Sequence, residues 1–147
     1  MVGTVMGLVG LTSSTAHADD FAEGSYIVPM DLDYQDEGML RAYGLVYALL
    51  LADVPVRWTI RTGKLYGEDD FTATSIDFAS GNAIGSHGYR AGPFVIDAFD
   101  APDAEAVILD WQTQYPETVV HEVTEPFTAE VARYLVVAPT IAMVADG

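Results

Sequence analysis

One stretch, Ser25 to Ile60, constrains the fold more than any other: SYIVPMDLDYQDEGMLRAYGLVYALLLADVPVRWTI. Tyr26-Ile27-Val28 is a short β-rich run that stops at Pro29-Met30. Asp31 to Gln35 follows as a polar loop, and Asp36 is placed to cap a helix through its carboxylate. From Gly38 to Asp53 the spacing becomes helical. Leu40, Tyr43, Gly44, Tyr47, Ala48 and Leu51 recur at steps of three and four, which puts them on one face. Gly44, Ala48 and Ala52 form a ridge of small residues that suits close packing on a sheet. Pro55 ends the helix and biases the residue before it to extended geometry. Val56, Trp58 and Ile60 then alternate with Arg57, Thr59 and Arg61, as in a strand with one wetter face. Two strands joined by a crossover helix are expected to run parallel and to be connected right-handed. An α+β meander of the same elements is the alternative.

The rest of the chain extends this pattern. Phe71–Phe78 is rich in β-branched and aromatic residues, Ala79-Ser80-Gly81-Asn82 is a turn signal, and Ala83–Tyr89 can return as an antiparallel ribbon. Pro93-Phe94-Val95-Ile96-Asp97 is a continuous apolar run, the signature of a strand covered on both faces. Ala101-Pro102-Asp103-Ala104-Glu105 opens a second helix, with proline and acids in its first turn, and Pro116 marks its end. Thr118–Val123 and Thr140–Val144 read as further strands, and Phe127–Leu135 is either a helical turn or extended. The expected fold class is therefore α/β. It has a mostly parallel sheet of about five strands with flanking helices, a flavodoxin-like three-layer sandwich. The β-ribbon is inserted between the second and third parallel strands.

Met1 to Ala18 carries an apolar run, Val5–Leu11, and ends in Ala16-His17-Ala18, a small-x-small triplet followed directly by acids. That arrangement predicts a signal peptide over residues 1–18, and a secreted, periplasmic or cell-surface location after cleavage near Ala18. Residues 19–147 are expected to form a single α/β domain. It is expected to be the N-terminal part of a longer one, because the last strand ends where a helix is due. No later apolar run reaches the length of a membrane span.

Charge and cysteine content exclude whole classes of chemistry. The net charge is −16, from 22 acidic and 6 basic residues, a field that repels nucleic acid and anionic membrane. An unknown protein or small ligand is the expected partner. The chain has no cysteine, so disulfides, thiolate metal sites and cysteine nucleophiles are all excluded. No GxGxxG, Walker or GxSxG pattern occurs.

In an open parallel sheet, ligands bind beyond the C-terminal strand ends. Asp31 and Asp33 follow the first strand, Lys64 the second and Asp97 the third. Under flavodoxin-like order Asp31, Asp33 and Asp97 converge, and three carboxylates are donors suited to calcium or magnesium. Acids of this kind also serve as turn formers and caps. His87, in Gly85-Ser86-His87-Gly88-Tyr89-Arg90, is placed for acid–base work. His121 alternates with apolar neighbours as a sheet-face residue.

The runs Tyr26-Ile27-Val28-Pro29-Met30-Asp31, Gly44-Leu45-Val46-Tyr47, Val54-Pro55-Val56-Arg57-Trp58 and Gly92-Pro93-Phe94-Val95-Ile96-Asp97 resemble a group of secreted, uncharacterised bacterial proteins of myxobacterial type. The fold of that group is similar to the class I glutamine amidotransferase-like sandwich. The resemblance carries no catalytic residue across, and the lack of cysteine excludes glutaminase activity. The expected function is a non-catalytic binding or interaction module. The alternative is a degenerate amidotransferase-like hydrolase, metal-assisted through Asp31, Asp97 or His87.

Overall fold

The computed structural model describes residues 17–139. Eight strands form one sheet: β1 (His17–Phe21), β2 (Tyr26–Val28), β3 (Val56–Thr59), β4 (Phe71–Asp77), β5 (Ala83–Tyr89), β6 (Phe94–Ile96), β7 (His121–Val123) and β8 (Phe127–Leu135). The helices are α1 (Leu32–Gln35), α2 (Met39–Leu51) and α3 (Ala101–Gln114). Strand order is β1-β8-β3-β6-β2-β7-β4-β5. Every pairing is antiparallel.

This overturns the mostly parallel five-strand sandwich. The flavodoxin-like and glutamine amidotransferase-like comparisons fall with it. β2 and β3 do point the same way, since each is antiparallel to β6, but β6 lies between them. The elements β2-α2-β3-β6-α3-β7 thus follow a split β-α-β connectivity, used twice. The β4–β5 hairpin extends the sheet beyond β7, and β8 with β1 extends it beyond β3. The double-sided apolar runs that imply parallel strands have a different origin here. Ile27 and Val95 face one core, while Tyr26, Val28, Phe94 and Ile96 face another.

The first core lies under α2 and α3, where Ala42, Leu45, Leu49, Ala104 and Ile108 meet Val28, Val56 and Ile96. The second fills the opposite, concave face. There the outer strands curl towards each other, so that Phe127 of β8 stacks on Phe71 of β4 with ring centroids 4.8 Å apart. Phe21 continues the stack at 5.1 Å on one side and Tyr89 at 5.2 Å on the other. Each such pair adds ~0.5–1.5 kcal/mol beyond the area it buries. The stack ties together strands that are remote in the sheet.

Helix α2 turns the other way from its expected orientation. Ala42, Leu45, Val46, Leu49 and Leu50 are buried. Leu40, Tyr43, Tyr47 and Leu51 face solvent instead. The helix is apolar nearly all round, so its periodicity does not single out one buried face. Gly44 packs on α3 rather than on the sheet: a Cβ there would lie 2.7 Å from the Trp111 ring. Asp36 ends α1 instead of opening α2, whose N-cap is Gly38. Residues 1–16 and the expected strand Thr140–Val144 lie outside the described residues. Of the expected signal peptide, His17 and Ala18 are described, and they open β1 opposite Val131 and Glu130. Among the described residues no helix is long and apolar enough to cross a membrane.

Candidate functional site

Because β2 and β3 share a direction, their C-terminal ends open at the same end of the sheet. A cleft of about 680 Å³ lies there, lined by Met30, Asp31, Leu32, Asp33, Met39, Trp58, Ile60, Lys64, Tyr66, Gly67, Arg90, Ala91 and Gly92. Its floor and walls are mostly apolar, and its charges come in opposite pairs.

Asp31 lies three residues past β2, is itself extended and caps α1, with its carboxylate accepting from the Asp33 N–H at 3.2 Å. It is buried. The other carboxylate oxygen lies 3.3 Å from His87 Nε2. His87 comes from β5, and α1 arcs over the concave face to meet it. Tyr34 of α1 stands edge-on to both His87 and His121, with centroids 4.8 and 4.7 Å away. Tyr89 completes the ring of four, edge-on to His87 at 4.7 Å and to His121 at 5.7 Å.

Beneath this ring runs a buried polar relay. His121 Nδ1 is 2.7 Å from the Tyr89 hydroxyl, which is 2.8 Å from Ser75 Oγ. Burial pushes the Tyr89 phenol above its ordinary range. Burial also lowers His121 to about 4, aided by nearby His87 and opposed by the Asp77 and Asp31 carboxylates. His121 Nε2 has no hydrogen-bond partner among the described residues, so a charged ring there is poorly served.

The second wall is built from the loops after β3 and β5. Arg90 Nη2 donates to Asp33 at 2.7 Å. Lys64 Nζ lies 2.8 Å from Asp70, whose side chain is wholly buried. Asp70 also accepts from the Arg61 and Gly92 backbone N–H groups, both at 2.9 Å. Trp58 Nε1 donates to the Gly92 carbonyl at 3.0 Å. Ala91 and Gly92 are both left-handed, with φ of 65° and 72°. A side chain at Gly92 would be strained in φ and would also meet Trp58 Nε1 at 2.8 Å. The backbone here is bent to bring Arg90 and the indole to the cleft.

Of the five expected ligand-binding residues, Asp31, Asp33 and His87 come together, with donor atoms within 4.8 Å of one another. Lys64 lines the same cleft but is held by Asp70. Asp97 does not join them. Antiparallel β6 carries its C-terminus to the far end of the sheet, where Asp97 accepts from the Phe99 N–H at 2.8 Å and shapes the turn into α3. Asp31 and Asp97 therefore cannot share a crevice. Trp58 and Arg90 are cleft residues that the sequence does not single out, nor does it single out Asp70, buried behind Lys64. The signal for Arg90 is the hairpin register, since Tyr89 pairs with Phe71 and the next residue must leave the sheet at this end.

A metal reading can be weighed on the donor chemistry. Two carboxylates and an imidazole suit a borderline ion such as zinc better than calcium, which takes six to eight oxygens. Arg90, however, already neutralises Asp33. For catalysis, Asp31 and His87 form a base-and-orienter pair, but among the described residues no hydroxyl is hydrogen-bonded to His87, as a nucleophile–base arrangement requires. Comparison with known proteins adds no assignment: no family model, no curated protein and no solved structure matches the chain.

Proposed function

We propose that the chain is an exported binding module that takes a small amphipathic molecule into the cleft between α1 and the β3–β4 and β5–β6 loops. One observation carries this reading. The cleft is of small-molecule size and largely apolar, with a few fixed polar groups, the usual anatomy of such sites. Its charges are paired internally, so an apolar or weakly anionic guest escapes the repulsion of the acidic exterior. Trp58 supplies a flat face, and Arg90 supplies a donor at the rim.

A concrete probe is 1-anilinonaphthalene-8-sulfonate, an aromatic dye with one anionic group. In a Trp111→Phe background, Trp58 is the sole tryptophan, and its emission should be quenched saturably with a one-site isotherm. Trp58→Ala in the native chain should weaken dye binding about ten-fold, the loss of one aromatic contact of ~1.4 kcal/mol. A non-saturating response would end the cleft reading.

The convergence of Asp31, Asp33 and His87 favours a second reading, a divalent cation as cofactor. Arg90→Ala separates the two. It removes the rim donor, so dye binding should weaken. It also frees Asp33, so calorimetric zinc affinity should rise, and His87→Ala should then abolish it. No zinc heat in the Arg90→Ala protein removes the cation.

Export is supported by the apolar run and small-x-small triplet before Asp19. Intact mass of the protein recovered outside expressing cells should place its N-terminus at Asp19. That cut leaves Asp19, Asp20 and Phe21 of β1 paired with β8. Retention of the full 15.8 kDa chain inside the cells would contradict it.

A further inference from the structure

A row of side chains leads out of the cleft along α2. Met39 lines the cleft. Tyr43, Tyr47 and Leu51 follow it at steps of four, the spacing of one ridge on a helix surface. These three are uncovered, at 56, 37 and 62% exposure, although a helix that is apolar nearly all round is ordinarily covered on all sides. The row and the cleft also share a floor. Buried Phe94 of β6 carries the Trp58 indole stacked at 6.2 Å and the Tyr43 ring edge-on at 6.1 Å. Trp58 belongs to the cleft and Tyr43 to the row, so apolar contact passes from one to the other through a single ring.

Length and charge select the occupant. From Met39 to Leu51 the row runs about 18 Å, at ~1.5 Å per residue, further than a dye-sized ring system reaches from the cleft. An extended alkyl chain spans it. The stretch Gly38–Ala52 contains none of the 22 acids. Its one cation, Arg41, is turned towards the end of α3, over the Tyr115 ring at 4.2 Å and beside Glu117 at 3.4 Å. No charge has to lose water when a hydrocarbon chain lies on the row. Met30 and Met39, unbranched and flexible, fit themselves to such a chain where it leaves the cleft. A membrane surface is a poor source of it, because anionic lipid is repelled by a −16 chain.

We propose that the guest is a free single-chain amphiphile. Its small anionic head sits at Arg90, and its alkyl tail runs over Trp58 and Phe94 onto Tyr43, Tyr47 and Leu51. This rests on the cleft reading and adds the class of guest.

Displacement of bound 1-anilinonaphthalene-8-sulfonate from the full chain tests it, with straight-chain carboxylates from hexanoate to tetradecanoate, each below its micelle concentration. Complete burial of a methylene tightens binding about four-fold, and a row open to solvent on one side should give about two-fold. The gain should persist to tetradecanoate. Tyr47→Glu sets a charge midway along the row. It should weaken tetradecanoate about ten-fold, the gain from three or four methylenes, while hexanoate and the dye, which stay in the cleft, bind as before. Tyr47→Leu keeps the row apolar and should retain the long chain. Leu109→Glu, on the exposed side of α3, should change nothing. Affinity that levels off by octanoate overturns the proposal and leaves the cleft reading standing, whereas the absence of saturable dye binding removes both. A dimer that Tyr47→Glu dissociates with no loss of tetradecanoate binding also overturns it, since the row is then a contact between copies.

Discussion

Replacing Asp70 by alanine should lower the unfolding free energy by ~3–5 kcal/mol, the cost of stripping one partner from a buried ion pair. The carboxylate serves three donors at once: the Lys64 ammonium and the Arg61 and Gly92 N–H groups. Alanine leaves all three without it, and Lys64 sits only 17% exposed. Against a typical total of ~5–15 kcal/mol the loss is large. Urea unfolding should show a much lower midpoint, or no folded baseline. Two further variants separate charge from shape. Asp70→Asn keeps the outline and one acceptor and should cost less. Lys64→Met with Asp70→Leu removes both charges and should be less damaging than Asp70→Ala alone, a departure from additivity that marks direct coupling. A loss below ~1 kcal/mol for Asp70→Ala would mean that the pair is solvated and the loops are held otherwise. Because those N–H groups tie the loop after β3 to the loop before β6, dye binding should disappear with the carboxylate even if the core survives.

The second large effect is on acid stability. The folded chain keeps His121 neutral down to about 4, whereas an unfolded histidine protonates near 6.5. Between those values the unfolded state binds more protons, so stability rises with pH across that window. The contribution is complete above pH 6.5 and is lost progressively by pH 4. It amounts to ~3 kcal/mol, at about 1.4 kcal/mol for each pH unit of displacement. The physical cause is burial without a second partner: Tyr89 serves Nδ1, and nothing described serves Nε2. His121→Phe should flatten this part of the profile, with the Tyr89 hydroxyl retaining Ser75. Relief of carboxylate repulsion at low pH is common to both proteins, so the difference between their urea profiles at pH 7, 6 and 5 isolates His121. Parallel profiles would show that its ring is solvated or is charged in the folded state.

The sequence is most informative where a residue acts on its own backbone. Pro55 stops α2, and Pro102 opens α3, so both helices are readable to within a few residues. The turn at Gly81-Asn82 announces the β4–β5 hairpin. What escapes it depends on partners. Tyr26-Ile27-Val28 and Phe94-Val95-Ile96 are apolar on both faces, and that pattern fits a parallel strand between two helix layers. It fits equally a central antiparallel strand with helices on one side and a rolled sheet on the other. Nothing local to β2 says that β6 will pair with it. The same degeneracy hides which side of α2 is buried. The grouping of Asp31 and Asp33 with Lys64 at one end of the sheet needs only that β2 and β3 point the same way, and a crossover helix ensures that whether or not another strand comes between. The placement of Asp97 needs the direction of β6, so it is lost with the topology.

The aromatic stack across the concave face also sets an order of assembly. Phe21 stands near one end of the described chain and its neighbour Phe127 near the other, and among the described residues β1 pairs with β8 alone. Contacts so distant in sequence form late, after the loop entropy between them has been met. During synthesis, which proceeds from the N-terminus, β1 must wait for almost all of the described chain to emerge before it has anything to pair with. Until then the concave face stays unclosed and its apolar lining is exposed to solvent.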